Sequence, residues 1–117
     1  MEQFKVNLGC LGKGKATIYC RYANTRSGFK HEAVAFAGGV SVAKAKCCYL
    51  NRTWESYTYQ SVLHRVAEKI VKNAYPTVRN IFDGKHKKIE RIYQNLCKRI
   101  DRDHGKSKYI VDDRIFA

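Results

Sequence analysis

The apolar residues change their period once along the chain. Phe4, Val6 and Leu8 alternate with Lys5, Asn7 and Gly9. Residues 16–22 carry Ile18, Tyr19 and Tyr22, which favour extended chain, and Val34 and Phe36 continue the pattern within 29–37. Further on, Val62, Leu63, Val66, Ala67, Ile70 and Val71 recur at the helical period. Ile89, Ile92, Tyr93, Leu96 and Ile100 do so again. Strand signals crowd the N-terminal part with no helix between them. A parallel sheet needs a long crossover between strands, so that arrangement fits badly. The pattern predicts an α+β fold, a small antiparallel N-terminal sheet packed by two amphipathic C-terminal helices.

Turn chemistry sets the expected boundaries. Gly12-Lys13-Gly14-Lys15 breaks the first alternation, and Asn24-Thr25-Arg26-Ser27-Gly28 breaks the second. Residues 40–50 read two ways: Ala-Lys-Ala-Lys is good helix material, while Val40, Val42, Lys44 and Lys46 alternate with Ala43, Ala45 and Cys47. The strand is preferred, because Gly38-Gly39 can close a hairpin there. Asn73 and Pro76 mark the end of the first helix. The second is expected to start near His86 and stop near Gly105. Tyr109-Ile110-Val111 is expected to form a short strand or a docked tail. No repeat or low-complexity linker divides the chain, so one domain over 1–117 is expected: strand-rich 4–59, helical 60–104, and a tail 105–117. A core this small is expected to need Trp54 and several of the eight tyrosines as core or subcore mass.

Charge is the strongest functional signal. Lys and Arg total 23 against 10 Asp and Glu, a formal net charge of +13. Lys13, Lys15, Arg21, Arg26 and Lys30 fall in a window with no acidic residue. Arg65, Lys69 and Lys72 share one side of the first helix. Lys88, Arg91, Lys98, Arg99 and Arg102 gather on a sector of the second, away from its apolar face. Such a charge is costly through self-repulsion unless a partner uses it. Phosphate contacts supply such a use and need no exact motif. The Gly12–Lys15 loop could offer backbone donors to a phosphate, but it is not a P-loop and no helix follows it.

The junction Asn51-Arg52-Thr53-Trp54-Glu55-Ser56-Tyr57-Thr58-Tyr59-Gln60 packs a guanidinium, an indole, a carboxylate and phenols together. Two roles are open. Trp54 could cap the core while Arg52 and Glu55 pair across a turn. Alternatively, Arg52 could hold a phosphate while Trp54 or Tyr57 stacks a base. The stretch from Cys48 to Leu63 resembles a segment of small bacteriophage-encoded proteins of unassigned function. That resemblance implies a phage or mobile-element origin. It also implies either nucleic-acid binding or inhibition of a host defence complex.

Signals for catalysis and metal binding are weak. Cys47-Cys48 lacks the spacer of a zinc knuckle, and His31, His64, His86 and His104 form no metalloprotease motif. Asp101 with Asp103, and Asp112 with Asp113, do not make a two-metal site. No Cys or Ser signature stands beside a histidine. No catalytic residue, metal or cofactor is therefore expected. Five cysteines, with one adjacent pair, make a poor disulfide framework, so free thiols in a reducing compartment are expected. No apolar run suits a membrane span, and the start is not that of a signal peptide. The reading is a cytoplasmic, non-enzymatic protein, in a host cell if phage-encoded. It binds a DNA or RNA backbone or a nucleoprotein complex through Lys13, Lys15, Arg21, Arg26, Lys30, Arg52, Trp54, Tyr57, Lys88, Arg91, Lys98, Arg99 and Arg102. The alternative is an inhibitor or adaptor of a host protein such as a CRISPR effector, with Trp54 and Tyr57 as anchors.

Overall fold

The structure is a computed structural model describing residues 1–12, 14–25, 28–49, 59–111 and 115, with the side chains of 23–25, 28–29, 47–49 and 59 outside that description. Four strands run in sequence: β1 (Glu2–Asn7), β2 (Lys15–Thr25), β3 (Gly28–Ala37) and β4 (Val40–Tyr49). Helices α1 (Tyr59–Ala74) and α2 (Lys87–His104) follow, and β5 (Lys108–Tyr109) comes last. All pairings are antiparallel, and the sheet order is β4-β3-β2-β1-β5. This is the α+β architecture expected from the period change. The C-terminal segment extends it: β5 pairs with Glu2 and Gln3, so β1 lies inside the sheet there.

Local chemistry explains the connections. Gly38 and Gly39 both have positive φ, 61° and 79°, as a two-residue type I′ hairpin turn requires. Between β1 and β2, a 3-10 turn at Gly9–Leu11 precedes the glycine-lysine stretch. Asn7 Oδ1 accepts a hydrogen bond from the Gly9 N–H at 2.9 Å, and Gly9 takes φ 61°. Strand β4 is extended despite its Ala-Lys-Ala-Lys sequence. Ala43 and Ala45 are buried while Lys44 and Lys46 are exposed, so burial of one alternating face outweighs helix propensity.

Helix α1 lies over β3 and β4, and α2 lies against β1 and α1. The sheet presents Phe4, Val6, Ala16, Ile18, Cys20, Ala33, Ala35, Ala43 and Ala45 to the core. The helices answer with Val62, Leu63, Val66, Ala67, Ile70 and Val71 from α1, and Leu96, Cys97 and Ile100 from α2. Alanines on β3 and β4 leave room for the bulkier aliphatic residues of α1.

A second, smaller cluster covers part of the opposite sheet face. Val34 and Met1 are buried there, with Tyr19, Phe36, Ile110 and Ile115 packed against them. The Met1 amino group donates to the Ile110 carbonyl at 2.6 Å, and the Ile110 N–H donates to the Met1 carbonyl at 2.7 Å. The tail therefore forms both a short strand and a docked segment.

Tyrosines supply subcore rather than core mass, with Tyr75 and Tyr93 against the main core and Tyr19 against the smaller cluster. The main core is aliphatic, with Phe4 its buried aromatic among the described residues. Tyr75 and Tyr93 pack at its margin, while Tyr22 and Tyr109 are exposed. Aliphatic side chains projecting from both layers fill the space between them, so large rings are left at the periphery. Trp54, and with it the junction 51–58, lies outside the described residues.

Candidate nucleic-acid interface

Helix α2 separates its side chains by sector. At about 100° per residue, Leu96, Ile100, Ile89 and Tyr93 centre on one side. On the same arithmetic Lys88, Arg91, Lys98 and Arg102 fall within about 80° of one another, turned away from that side. All four are exposed. From residue 88 to 102 the helix rises about 21 Å, at about 1.5 Å per residue. The acidic residues of α2 stand elsewhere. Asp101 faces α1, where it pairs with His64 at 3.0 Å and accepts from Gln60 Nε2 at 3.3 Å. Glu90 falls in the same sector as Asp101 by the same arithmetic.

Of two arginines near the end of this helix, one serves the fold and the other stays open to solvent. Arg99 Nε donates to the Asn7 carbonyl at 2.9 Å and holds α2 to the end of β1. Arg102 Nε approaches Asp103 Oδ1 at 3.4 Å, with the Arg102 side chain 64% exposed. Its guanidinium is therefore mostly in solvent.

The basic surface continues past the helix. Asp103 also lines a cleft of about 360 Å³ with Gln3, Phe4, Lys5, Lys106 and Lys108, where the short β5 leaves part of the β1 edge uncovered. Three ammonium groups share that cleft with one carboxylate. Lys5, Lys106 and Lys108 carried no signal in sequence beyond overall charge, because only the pairing of β5 with β1 gathers them.

The acid-free window is different in space. Glu32 lies across from Arg21 on β2 and two residues beyond Lys30 on its own strand. Arg21 Nε pairs with Glu32 Oε2 at 2.7 Å, and Lys30 Nζ with Oε1 at 3.1 Å. Glu32 is buried. Burial alone would raise its carboxyl, but hydrogen bonds and charge from Arg21 and Lys30 outweigh that and hold it below the ordinary glutamate range. The window Lys13 to Lys30 is thus free of acid in sequence only. Lys15 is exposed at the start of β2. Lys13, Arg26, Arg52, Trp54 and Tyr57 lie outside the described residues.

The cations of α1 are engaged as well. Arg65 Nη1 donates to the Lys46 carbonyl at 3.4 Å, Lys69 Nζ donates to the Lys44 carbonyl, and Asn73 Nδ2 donates to the Val42 carbonyl at 2.7 Å. These three residues, spaced four apart, run along the outer edge of β4 and satisfy its outward carbonyls. Lys72 pairs with Glu68 one turn back, at 3.0 Å. The described basic groups of α1 therefore lie along the β4 edge, and those of the α2 stripe lie on the β1 side of the sheet.

The two buried thiols, Cys20 and Cys97, are poor nucleophiles. Cys10, Cys20 and Cys97 are free. Burial, then the neighbouring Glu2 carboxylate, pushes the Cys20 thiol up to about 12. Burial also raises Cys97. A reactive cysteine needs the opposite shift. Cys10 is exposed. Among the described residues no helix is long and apolar enough to cross a membrane.

No protein-family model, no curated protein and no solved structure matches this chain.

Proposed function

We propose that the protein binds a nucleic-acid backbone through α2 and the adjoining β1–β5 edge, without an enzymatic step. The observation that carries this reading is the exposed stripe of Lys88, Arg91, Lys98 and Arg102, whose sector of α2 holds no acidic side chain. The lysine-lined cleft at Lys5, Lys106 and Lys108 extends it. Lysine and arginine neutralise phosphates and release condensed counterions, so affinity follows salt rather than base sequence. Arginine adds bidentate phosphate contacts that lysine cannot make.

Titration of a labelled duplex and a labelled single strand at several salt concentrations tests the proposal. Four to six phosphate contacts give a log–log slope of roughly −3.6 to −5.4 on duplex, at about −0.9 per contact, and a shallower one on a single strand. Absence of binding to either at low salt, by folded protein, would overturn the proposal and leave an acidic protein surface as the target.

A further inference from the structure

The register of β1 and β2 places Glu2 opposite Cys20. Directly opposed side chains on one face have Cβ atoms about 4.5–5.5 Å apart. Both project toward the layer that holds α2, whose last residue is His104. Cys20 Sγ is 3.5 Å from Glu2 Oε2, and His104 Nε2 is 2.9 Å from the same oxygen. One ligand atom from each of the three residues lies within 4.8 Å of the others. The His104 ring also packs on Phe4, with centroids 5.5 Å apart, which fixes its orientation.

We propose that Glu2, Cys20 and His104 bind a zinc ion. Zinc takes sulfur at about 2.3 Å, imidazole nitrogen at about 2.0–2.1 Å and carboxylate oxygen at about 2.0–2.2 Å, in tetrahedral geometry. Those bond lengths put neighbouring ligand atoms roughly 3.3–3.6 Å apart. Cys20 and Glu2 already stand at a suitable separation, Glu2 and His104 must open by a few tenths of an ångström, and His104, within 4.8 Å of the buried Cys20, closes on it by at most about 1.5 Å through rotation of its partly exposed side chain. A thiolate and a carboxylate balance the double charge of the ion, and neutral imidazole completes a three-residue set. Water takes the fourth position on the side open to solvent. A sulfur, nitrogen and oxygen set selects zinc over magnesium or calcium, which prefer oxygen alone. Binding replaces the Cys20 proton by the metal and releases that proton to solvent, with no electron transferred.

The ion joins three elements at one point: the start of β1, the middle of β2 and the end of α2. It clamps the end of α2 to the sheet. The site does not depend on nucleic-acid binding.

Zinc titration of the full chain in competition with a chromophoric chelator measures the stoichiometry, and cobalt reports the ligands. One zinc ion per folded chain is expected, with a rise in the thermal midpoint. The cobalt form is expected to show a thiolate charge-transfer band that Cys20→Ala abolishes and Cys10→Ala retains. His104→Gln is expected to weaken zinc affinity at least tenfold. That variant lies at a partly exposed helix end, so it keeps the test decisive if Cys20→Ala fails to fold. Lack of stoichiometric binding by the folded wild type overturns the proposal. So does a charge-transfer band that persists in folded Cys20→Ala, or zinc affinity unchanged in His104→Gln.

Discussion

Helix α1 lies along the β4 side of the sheet and α2 along the β1 side, and the basic residues of the two meet different partners. Both helices bury an aliphatic seam against the same sheet face. On α1, Arg65 and Lys69 reach back to carbonyls of the edge strand, and Lys72 meets Glu68. On α2, Lys88, Arg91 and Lys98 point away from the sheet, and Asp101 is turned toward α1. The same residue types therefore protect an edge in one place and form an open cationic surface in the other. A strand edge with unmet carbonyls is a template for association, and side-chain donors laid along it blunt that hazard. Charge composition alone does not separate these uses. What separates them is whether an acceptor stands within side-chain reach.

The largest expected effect tests the shared half of the comparison. Leu63→Ala and Leu96→Ala each remove a fully buried side chain, one per helix. Each should lower stability by about 2–5 kcal/mol in urea unfolding. A small loss at Leu96 alone would mean that α2 is not held by its apolar seam, and the helices would differ on both sides.

Next comes the exposed half. Lys88→Gln, Arg91→Gln and Lys98→Gln together should flatten the duplex salt slope by about 2.7, at about 0.9 per contact, with the thermal midpoint nearly unchanged. Near 0.1 M salt that is a loss of affinity on the order of a few hundredfold. Arg65→Gln with Lys69→Gln should leave the slope almost as it was. Equal effects from the two sets would erase the distinction between the helices.

Acid titration addresses the β4 side. The Glu32 pKa is lowered in the folded state. Its contribution is therefore present at neutral pH and fades as pH falls through that lowered value. Wild type should be more stable than Glu32→Gln near neutrality. The gap should close in acid, below about pH 4.3. A gap independent of pH would show that shape, not charge, is what Gln fails to replace.

The smallest effect concerns the edge itself. Lys69→Ala should lower stability by less than about 1 kcal/mol, because the Lys44 carbonyl can turn to water. Self-association at high concentration, read by light scattering, should rise more visibly than stability falls. Arg91→Ala, the α2 counterpart, should leave association unchanged.

The elements and their buried faces were legible in the residue pattern alone. Alternation in 4–8, 16–22 and 29–37, and the 3.6-residue period after residue 60, report which side of each element leaves water, and that preference is local. The extended reading of 40–50 rested on Gly38-Gly39 closing a hairpin, since the Ala-Lys alternation alone also suits a helix. The clustering of Lys88, Arg91, Lys98 and Arg102 was likewise legible, since one helix fixes their spacing. Every feature that needs distant chain to come together depends on how the layers pack. It set β5 beside β1, brought Glu32 between Arg21 and Lys30, and aimed Arg65 and Lys69 at β4. It also placed His104 beside Glu2 and Cys20. Side-chain period encodes burial but carries no address for a partner many residues away. Antiparallel register and helix placement supply that address only once the layers have packed.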